Sequence, residues 1–175
     1  MKLVRLGPDE IFHRFLAPKW ASSPTSGAGA AQDGGRFNRP GGPALYLSRG
    51  AQTALEEYRQ GATITPPGTL AAYLVNLAGV ADLSGGYDPA EWPADWANWN
   101  CPWRQIARIE GKTPSSWTLA EGLAADGVPG LLFPSLRHPG GVNLVVFAAG
   151  LSSQSVTVHD PDQLLPRDQS SWPGN

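Results

Sequence analysis

Apolar positions along the chain fall into short runs, each bounded by turn-forming residues. "EIFHRFL" (10–16) reads as a short strand. "ALYLS" (44–48) is apolar with one aromatic and fits another. In "GAQTALEEYRQ" (50–60) the period changes. Ala51, Ala54, Leu55 and Tyr58 recur at i, i+3, i+4 and i+7, one face of a helix. On that wheel Glu57 lies beside Ala54 at the edge of the apolar face, and Glu56 points more nearly away. "TPPG" (65–68) ends the helix, and "TLAAYLVNL" (69–77) reads as a buried strand. "PWRQIARIE" (102–110) begins with proline and suits a helix. "TLAEGLAADG" (118–127) suits a clearer one, with Thr118 and Glu121 as a capping box and Gly127 as its stop. "GLLFPS" (130–135) and "NLVVFAA" (143–149) read as two core strands joined by "LRHPGGV", and "SVTVH" (155–159) as a late strand. Residues 21–35 are small and polar and read as a loop. The tail from Pro161 is polar and expected to pack loosely. Strands and helices mix without regular βαβ alternation, so the pattern predicts an α+β fold, a compact domain around a mixed sheet.

Composition narrows the class. A chain of 175 residues suits one domain over 1–175, and 41% hydrophobic residues with 7 Trp argue against disorder. With 21 Gly and 17 Pro, short elements and much ordered loop are expected. Net charge is −2 with no basic run, which speaks against direct nucleic-acid binding. The single Cys101 excludes an internal disulfide and a Cys-rich zinc site. "MKLVRLGPDEIFHRF" lacks the apolar stretch of a secretory signal, and no run approaches the roughly 20 apolar residues of a membrane span. A soluble cytoplasmic protein without membrane contact is the expectation.

Familiar catalytic motifs are missing. "SGAGAAQDGG" holds G-x-G but no third glycine in place, no strand before it and no clear helix after it, so a Rossmann phosphate loop is disfavoured. There is no Walker motif and no G-x-S-x-G elbow. His13, His138 and His159 lack metal-ligand spacing, and no metal is expected. Ser135 and His138 suit either a nucleophile with its base or, more simply, loop residues at a strand end. Four residues remain near element boundaries: Arg36 between two glycine pairs, Tyr46 on the next strand, Glu57 on the next helix and Ser135 closing a later strand. Singly, each has a plain explanation: an ion pair, a core ring, a solvated helix residue and a turn.

Together, "GGRFNRPGGPALYLS", "TALEEYRQ" and "GVPGLLFPSLRHPGGVNLVVF" resemble the RES domain, named for Arg, Glu and Ser; here these fall on Arg36, Glu57 and Ser135. The register of "TALEE" favours Glu57 over Glu56. "HRFLAPKWASSPTSGAGA", with Arg14, is similar to the family's opening, and the resemblance runs from about residue 10 to about 155. Phe37 departs from it, since the family usually has Trp or Tyr after the Arg; the aromatic face is kept without a polar tip.

The resemblance implies a bacterial cytoplasmic toxin of a toxin–antitoxin pair, neutralised by an Xre-type helix-turn-helix antitoxin. It implies a fold similar to ADP-ribosyltransferases of the diphtheria-toxin kind. NAD⁺ would be the substrate, consumed by hydrolysis or phosphorolysis, or alternatively by ADP-ribosyl transfer to an acceptor protein. In that reading Arg36 binds phosphate, Tyr46 stacks on the nicotinamide ring, Glu57 stabilises charge on the ribose, and Ser135 orients Glu57 or the ribose. Phe37, Thr53 and Asn143 complete the expected NAD⁺ contacts, the last two from behind the reacting groups. A non-catalytic toxin that blocks a partner, or one that attacks RNA, belongs to a different class. The negative net charge and the lack of a His/Lys/Glu cluster oppose the RNA reading, and the three family residues oppose a dead module. Trp92, Trp96, Trp99 and Trp103, spaced 4, 3 and 4, read as a helical stripe. Their acidic segment favours core or an antitoxin-facing surface over base stacking. Arg137 and His138 suit either phosphate contact or a solvated loop.

Overall fold

A computed structural model describes residues 1–152 and 154–170. Six strands form one sheet: β1 (Leu3–Leu16), β2 (Ala44–Ser48), β3 (Thr69–Asp82), β4 (Gly130–Pro134), β5 (Val142–Phe147) and β6 (Val156–Val158). Their order is β1-β2-β5-β4-β3-β6, and β1 also pairs with β3. That extra pairing closes five strands into a small barrel, which removes open edges from those strands. Among the described strands only β3 and β4 run parallel, meeting at Ala81–Leu131 and Asp82–Leu132. The described residues add four α-helices: α1 (Ala28–Asp33), α2 (Ala51–Arg59), α3 (Trp103–Arg108) and α4 (Ser115–Ala125).

Side chains alternate along the strands and divide the interior in two. Leu45, Leu47, Leu132, Leu144 and Val146 pack with Phe12, Leu16, Tyr73, Val75 and Val80. The opposite faces of β2, β4 and β5 carry Ala44, Leu131, Phe133, Val145 and Phe147, which pack with Leu119, Ala120 and Leu123 of α4. Trp92, Trp96 and Trp99 fill the same second cluster. Trp92 and Trp96 rings lie 4.5 Å apart, and Trp99 meets Phe133 edge-on at 6.3 Å. Such pairs each add about 0.5–1.5 kcal/mol beyond area burial.

Several elements differ from the sequence-based expectation, each for a local reason. The first strand starts at Leu3, because register shifts between Val4 and Leu6 and between Leu6 and Glu10 absorb Gly7 and Pro8 as bulges. β3 runs on to Asp82, paired to β1 and β4. The expected loop at 21–35 contains α1. The expected capping box at Thr118 does not form: α4 begins at Ser115 behind Pro114, and Glu121 pairs with Arg39 instead. Gly127, at φ +77°, does close that helix. The tryptophan segment is not one helix. A 3₁₀ turn at Ala94–Asn98 carries Trp96, α3 begins with Trp103, and all four rings are buried. Ala148 and Ala149 leave β5 for a 3₁₀ turn. The tail is exposed but not wholly loose: Leu165 packs on the core and Gln169 Nε2 donates to the Lys19 carbonyl at 2.7 Å. Residues 171–175 lie outside the described residues. Among the described residues no helix is long and apolar enough to cross a membrane.

Candidate functional site

β2 delivers the chain straight into α2, and the helix lies where β2 and β5 present polar groups. Tyr46 and Ser48 share one face of β2 by period two. In the sheet register Ser48 stands opposite Asn143, and Asn143 opposite Phe133. Ala54 of α2 is 4% exposed, so that face of the helix is anchored. Glu57, three residues on, therefore sits over the same sheet surface.

The carboxylate of Glu57 is held from two sides. Ser135 Oγ donates to Oε1 at 2.7 Å, and Asn143 Nδ2 donates to the same oxygen at 2.7 Å. Both bonds have the short length of charge-assisted pairs. Oε2 accepts no hydrogen bond among the described residues. The Ser135 hydroxyl is itself fixed, because Oγ accepts the backbone N–H of Arg137 at 3.1 Å and of His138 at 3.0 Å. Its one proton is thus directed to Glu57. The His138 ring bonds through Nδ1 to Thr53 Oγ1 at 2.9 Å rather than to Ser135, which removes the nucleophile–base reading of that pair. Gly141 allows this approach of loop to helix, since a Cβ there would lie 2.6 Å from Thr53 Oγ1.

A cavity of about 550 Å³ opens beside Glu57. Arg14, Arg36, Arg104, Arg108 and Arg137 all line it, against two carboxylates, Asp33 and Glu57. In a chain of net charge −2 this is a local surplus of positive charge, and it suits an anionic ligand. Arg36 Nη1 donates to the Cys101 carbonyl at 2.9 Å, and its guanidinium lies 6.0 Å from the Trp99 ring centre. Burial lowers its pKa, and the charge of Glu57 is among the groups opposing that shift. Burial also lowers Arg104, helped by Arg108 and Arg137 nearby. Arg14 is lowered by burial too, against the opposing Tyr73 hydroxyl. From their high starting point all three guanidiniums stay charged.

Tyr46 lines the cavity while its hydroxyl is occupied. It donates to Asn38 Oδ1 at 2.8 Å and accepts the Phe37 N–H at 2.9 Å, and burial raises the phenol above its usual range. The glycine before Arg36 serves this network. A Cβ on Gly35 would lie 2.5 Å from both Tyr46 Oη and Asn38 Oδ1. Trp117 Nε1 donates to the Gly35 carbonyl at 2.8 Å and ties the same turn to α4.

Arg36, Tyr46, Glu57 and Asn143 all line the cavity, and Ser135 reaches it through Glu57. Asn143, expected behind the reacting groups, holds the Glu57 carboxylate through Nδ2 and also borders the cavity. Thr53 is 3% exposed and does not line the cavity; it acts on the loop through His138. Phe37, expected among the NAD⁺ contacts, does not line the cavity. It is 1% exposed and packs edge-on against Phe133 at 4.8 Å. The rival Glu56 is engaged by Gln52 at 2.9 Å and by Arg59 at 3.5 Å. Ser48, Arg104 and Arg108 escaped the sequence reading. The two arginines stand four apart in "WRQIAR" and so share a helix face, and Ser48 alternates with Tyr46. Those spacings were the available signals.

These features define a mixed α+β protein with a small barrel and an arginine-lined cavity around a fixed glutamate. The RES domain family model matches residues 11–168, and the chain belongs to that family. Its fold is similar to that in the crystal structure of the M. tuberculosis MbcT-MbcA toxin–antitoxin complex, with a TM-score of 0.56 and 21% identity, covering 89% of this chain and 84% of that one. None of the curated proteins compared with the chain matches it.

Proposed function

We propose that this chain is the toxin of a toxin–antitoxin pair and cleaves the nicotinamide–ribose bond of NAD⁺. One observation carries the reading: a carboxylate fixed through one oxygen by Ser135 and Asn143, beside a cavity with five arginines. NAD⁺ offers matching chemistry, with an anionic pyrophosphate for the guanidiniums and a ribose carbon that turns cationic as the bond breaks. The fold likeness to a toxin–antitoxin complex supports the toxin and its protein partner. An Xre-type antitoxin covering the cavity, an architecture akin to diphtheria-type ADP-ribosyltransferases and action in the bacterial cytoplasm complete the proposal.

In this mechanism Arg36, with Arg14 and Arg104, holds the pyrophosphate. The Tyr46 ring lies against the nicotinamide, and its hydroxyl stays neutral and bonded to Asn38 and Phe37. The C1′–N bond breaks with its electron pair going to nicotinamide, which leaves neutral and needs no strong acid. Positive charge develops on the ribose ring, and Glu57 Oε2 faces it as a stabilising anion. Ser135 and Asn143 keep the carboxylate from swinging to meet an arginine. Water attack at C1′ gives ADP-ribose and a proton, whereas phosphate attack gives ADP-ribose-1″-phosphate.

The test uses purified protein and NAD⁺ labelled in its adenylate part, with and without phosphate and cell extract. Free ADP-ribose indicates hydrolysis and the 1″-phosphate indicates phosphorolysis. Label on a protein band indicates transfer to an acceptor. Nicotinamide release in none of these mixtures would overturn the proposal.

A further inference from the structure

We propose that Ser48 is a positioning residue for the reaction, setting the Asn143 amide so that its NH₂ end faces Glu57. The proposal rests on the reading of Glu57 as the catalytic carboxylate. Ser48 Oγ donates to Asn143 Oδ1 at 2.7 Å, and both residues are 4% exposed. They stand directly opposite on antiparallel β2 and β5, so their side chains leave the sheet on the same face.

An asparagine amide has a donor end and an acceptor end, whereas a carboxylate only accepts. With Nδ2 toward Glu57 Oε1 the contact is attractive at 2.7 Å. With Oδ1 there instead, two oxygens would meet and repel. Ser48 occupies Oδ1 and so holds the attractive orientation. It also polarises the amide, which strengthens the bond that follows. Glu57 is thereby steadied by two donors, each itself held from behind: Ser135 by two backbone N–H groups, and Asn143 by Ser48. Without the Ser48 hydroxyl, Asn143 Oδ1 loses its partner in a place nearly closed to water. The amide relieves this by rotating, which draws Nδ2 off Glu57. The strand itself does not depend on the hydroxyl, since β2 and β5 pair through their backbones over five registers.

The experiment measures kcat and KM for nicotinamide release from NAD⁺, with thermal unfolding, for wild type, Ser48→Ala, Ser48→Thr, Asn143→Ala and the Ser48→Ala/Asn143→Ala double variant. Ser48→Ala is expected to lower kcat about tenfold, with KM within about twofold. The double variant should be no worse than Asn143→Ala alone, because Ser48 acts through Asn143. Ser48→Thr should recover most of the loss. Wild-type kcat in Ser48→Ala, additive losses in the double variant, or no recovery with threonine overturns the proposal. A merely structural role would lower the unfolding temperature and leave kcat per folded molecule unchanged. Glu57→Gln separates the two readings. If it stays fully active, the catalytic assignment of Glu57 fails. If it is inactive while Ser48→Ala behaves as wild type, only the Ser48 proposal fails.

Discussion

Replacing Ser135 with alanine removes one hydroxyl that serves three partners. Its proton goes to Glu57 Oε1 at 2.7 Å, and its oxygen accepts two backbone N–H groups at 3.1 and 3.0 Å. A hydrogen bond to a charged group contributes about 1.5–3 kcal/mol. The lower half applies here, because Glu57 is only half-buried and keeps Asn143 as a donor. The two N–H groups belong to Arg137, which is exposed, and His138, which is half-buried, so water replaces most of what they lose. The expected cost is about 2 kcal/mol, a fall of roughly 4–8 °C in Tm for a chain of this size. The catalytic loss should be larger in proportion. A carboxylate with one donor left no longer holds its position, and kcat for NAD⁺ cleavage should fall about 10²-fold, by analogy with losing one preorganised donor. KM should change by less than about threefold, since Ser135 touches the carboxylate rather than the ligand. Urea denaturation followed by tyrosine and tryptophan fluorescence gives the first quantity, and chromatography of released nicotinamide gives the second. An alanine variant with wild-type kcat would refute the claim that Ser135 serves by holding Glu57.

Three further outcomes are expected. Gly35→Ala forces a Cβ into contact with Tyr46 Oη and Asn38 Oδ1 and should cost about 1–3 kcal/mol in denaturation; Gly42→Ala, whose Cβ meets only the Arg39 carbonyl at 3.5 Å, should be close to neutral. Arg36→Ala should lower kcat/KM for NAD⁺ about 10²-fold, and Arg36→Lys should recover only part of it, because an ammonium cannot offer the planar fork; full recovery by lysine would count against a bidentate contact. Asp82 concerns acid stability. Burial pushes its carboxyl up, but the Ser84 hydroxyl and N–H and the Lys2 ammonium outweigh this and hold it below the ordinary 3.8. A depressed folded pKa stabilises above the unfolded value and is lost as pH falls through it. Asp82→Asn should therefore flatten the decline in stability below about pH 4, and an unchanged slope in acid denaturation would contradict the assignment.

The sequence was most legible where one physical requirement dominated. The helix at 51–59 has a clean apolar face, so its register and the inward placing of Glu57 over Glu56 could be read directly. Strands β2, β4 and β5 are apolar runs between turn residues, and they appear where expected. Barrel closure was not legible, because it depends on ten residue pairings between β1 and β3, elements more than fifty positions apart. The tryptophan spacing suggested a helix, but Pro93 and Pro102 interrupt the backbone; tertiary packing gathers Trp92, Trp96 and Trp99 in one cluster, while Trp103 lies apart, near Trp117. Phe37 shows the limit of adjacency: it follows Arg36, yet the turn sends one side chain to the cavity and the other to the core. Ser48 and Asn143 meet only through strand register, which local pattern cannot supply.

The central claim is that the Glu57 carboxylate drives cleavage of NAD⁺. Glu57→Gln tests it most directly, because glutamine keeps an oxygen for Ser135 and Asn143 while it removes the charge and puts an NH₂ in place of Oε2. Nicotinamide release from NAD⁺ should be rapid with wild-type protein and fall at least about 10²-fold in the variant at an unchanged Tm. Equal release by both proteins, or none by the wild type, would contradict the account.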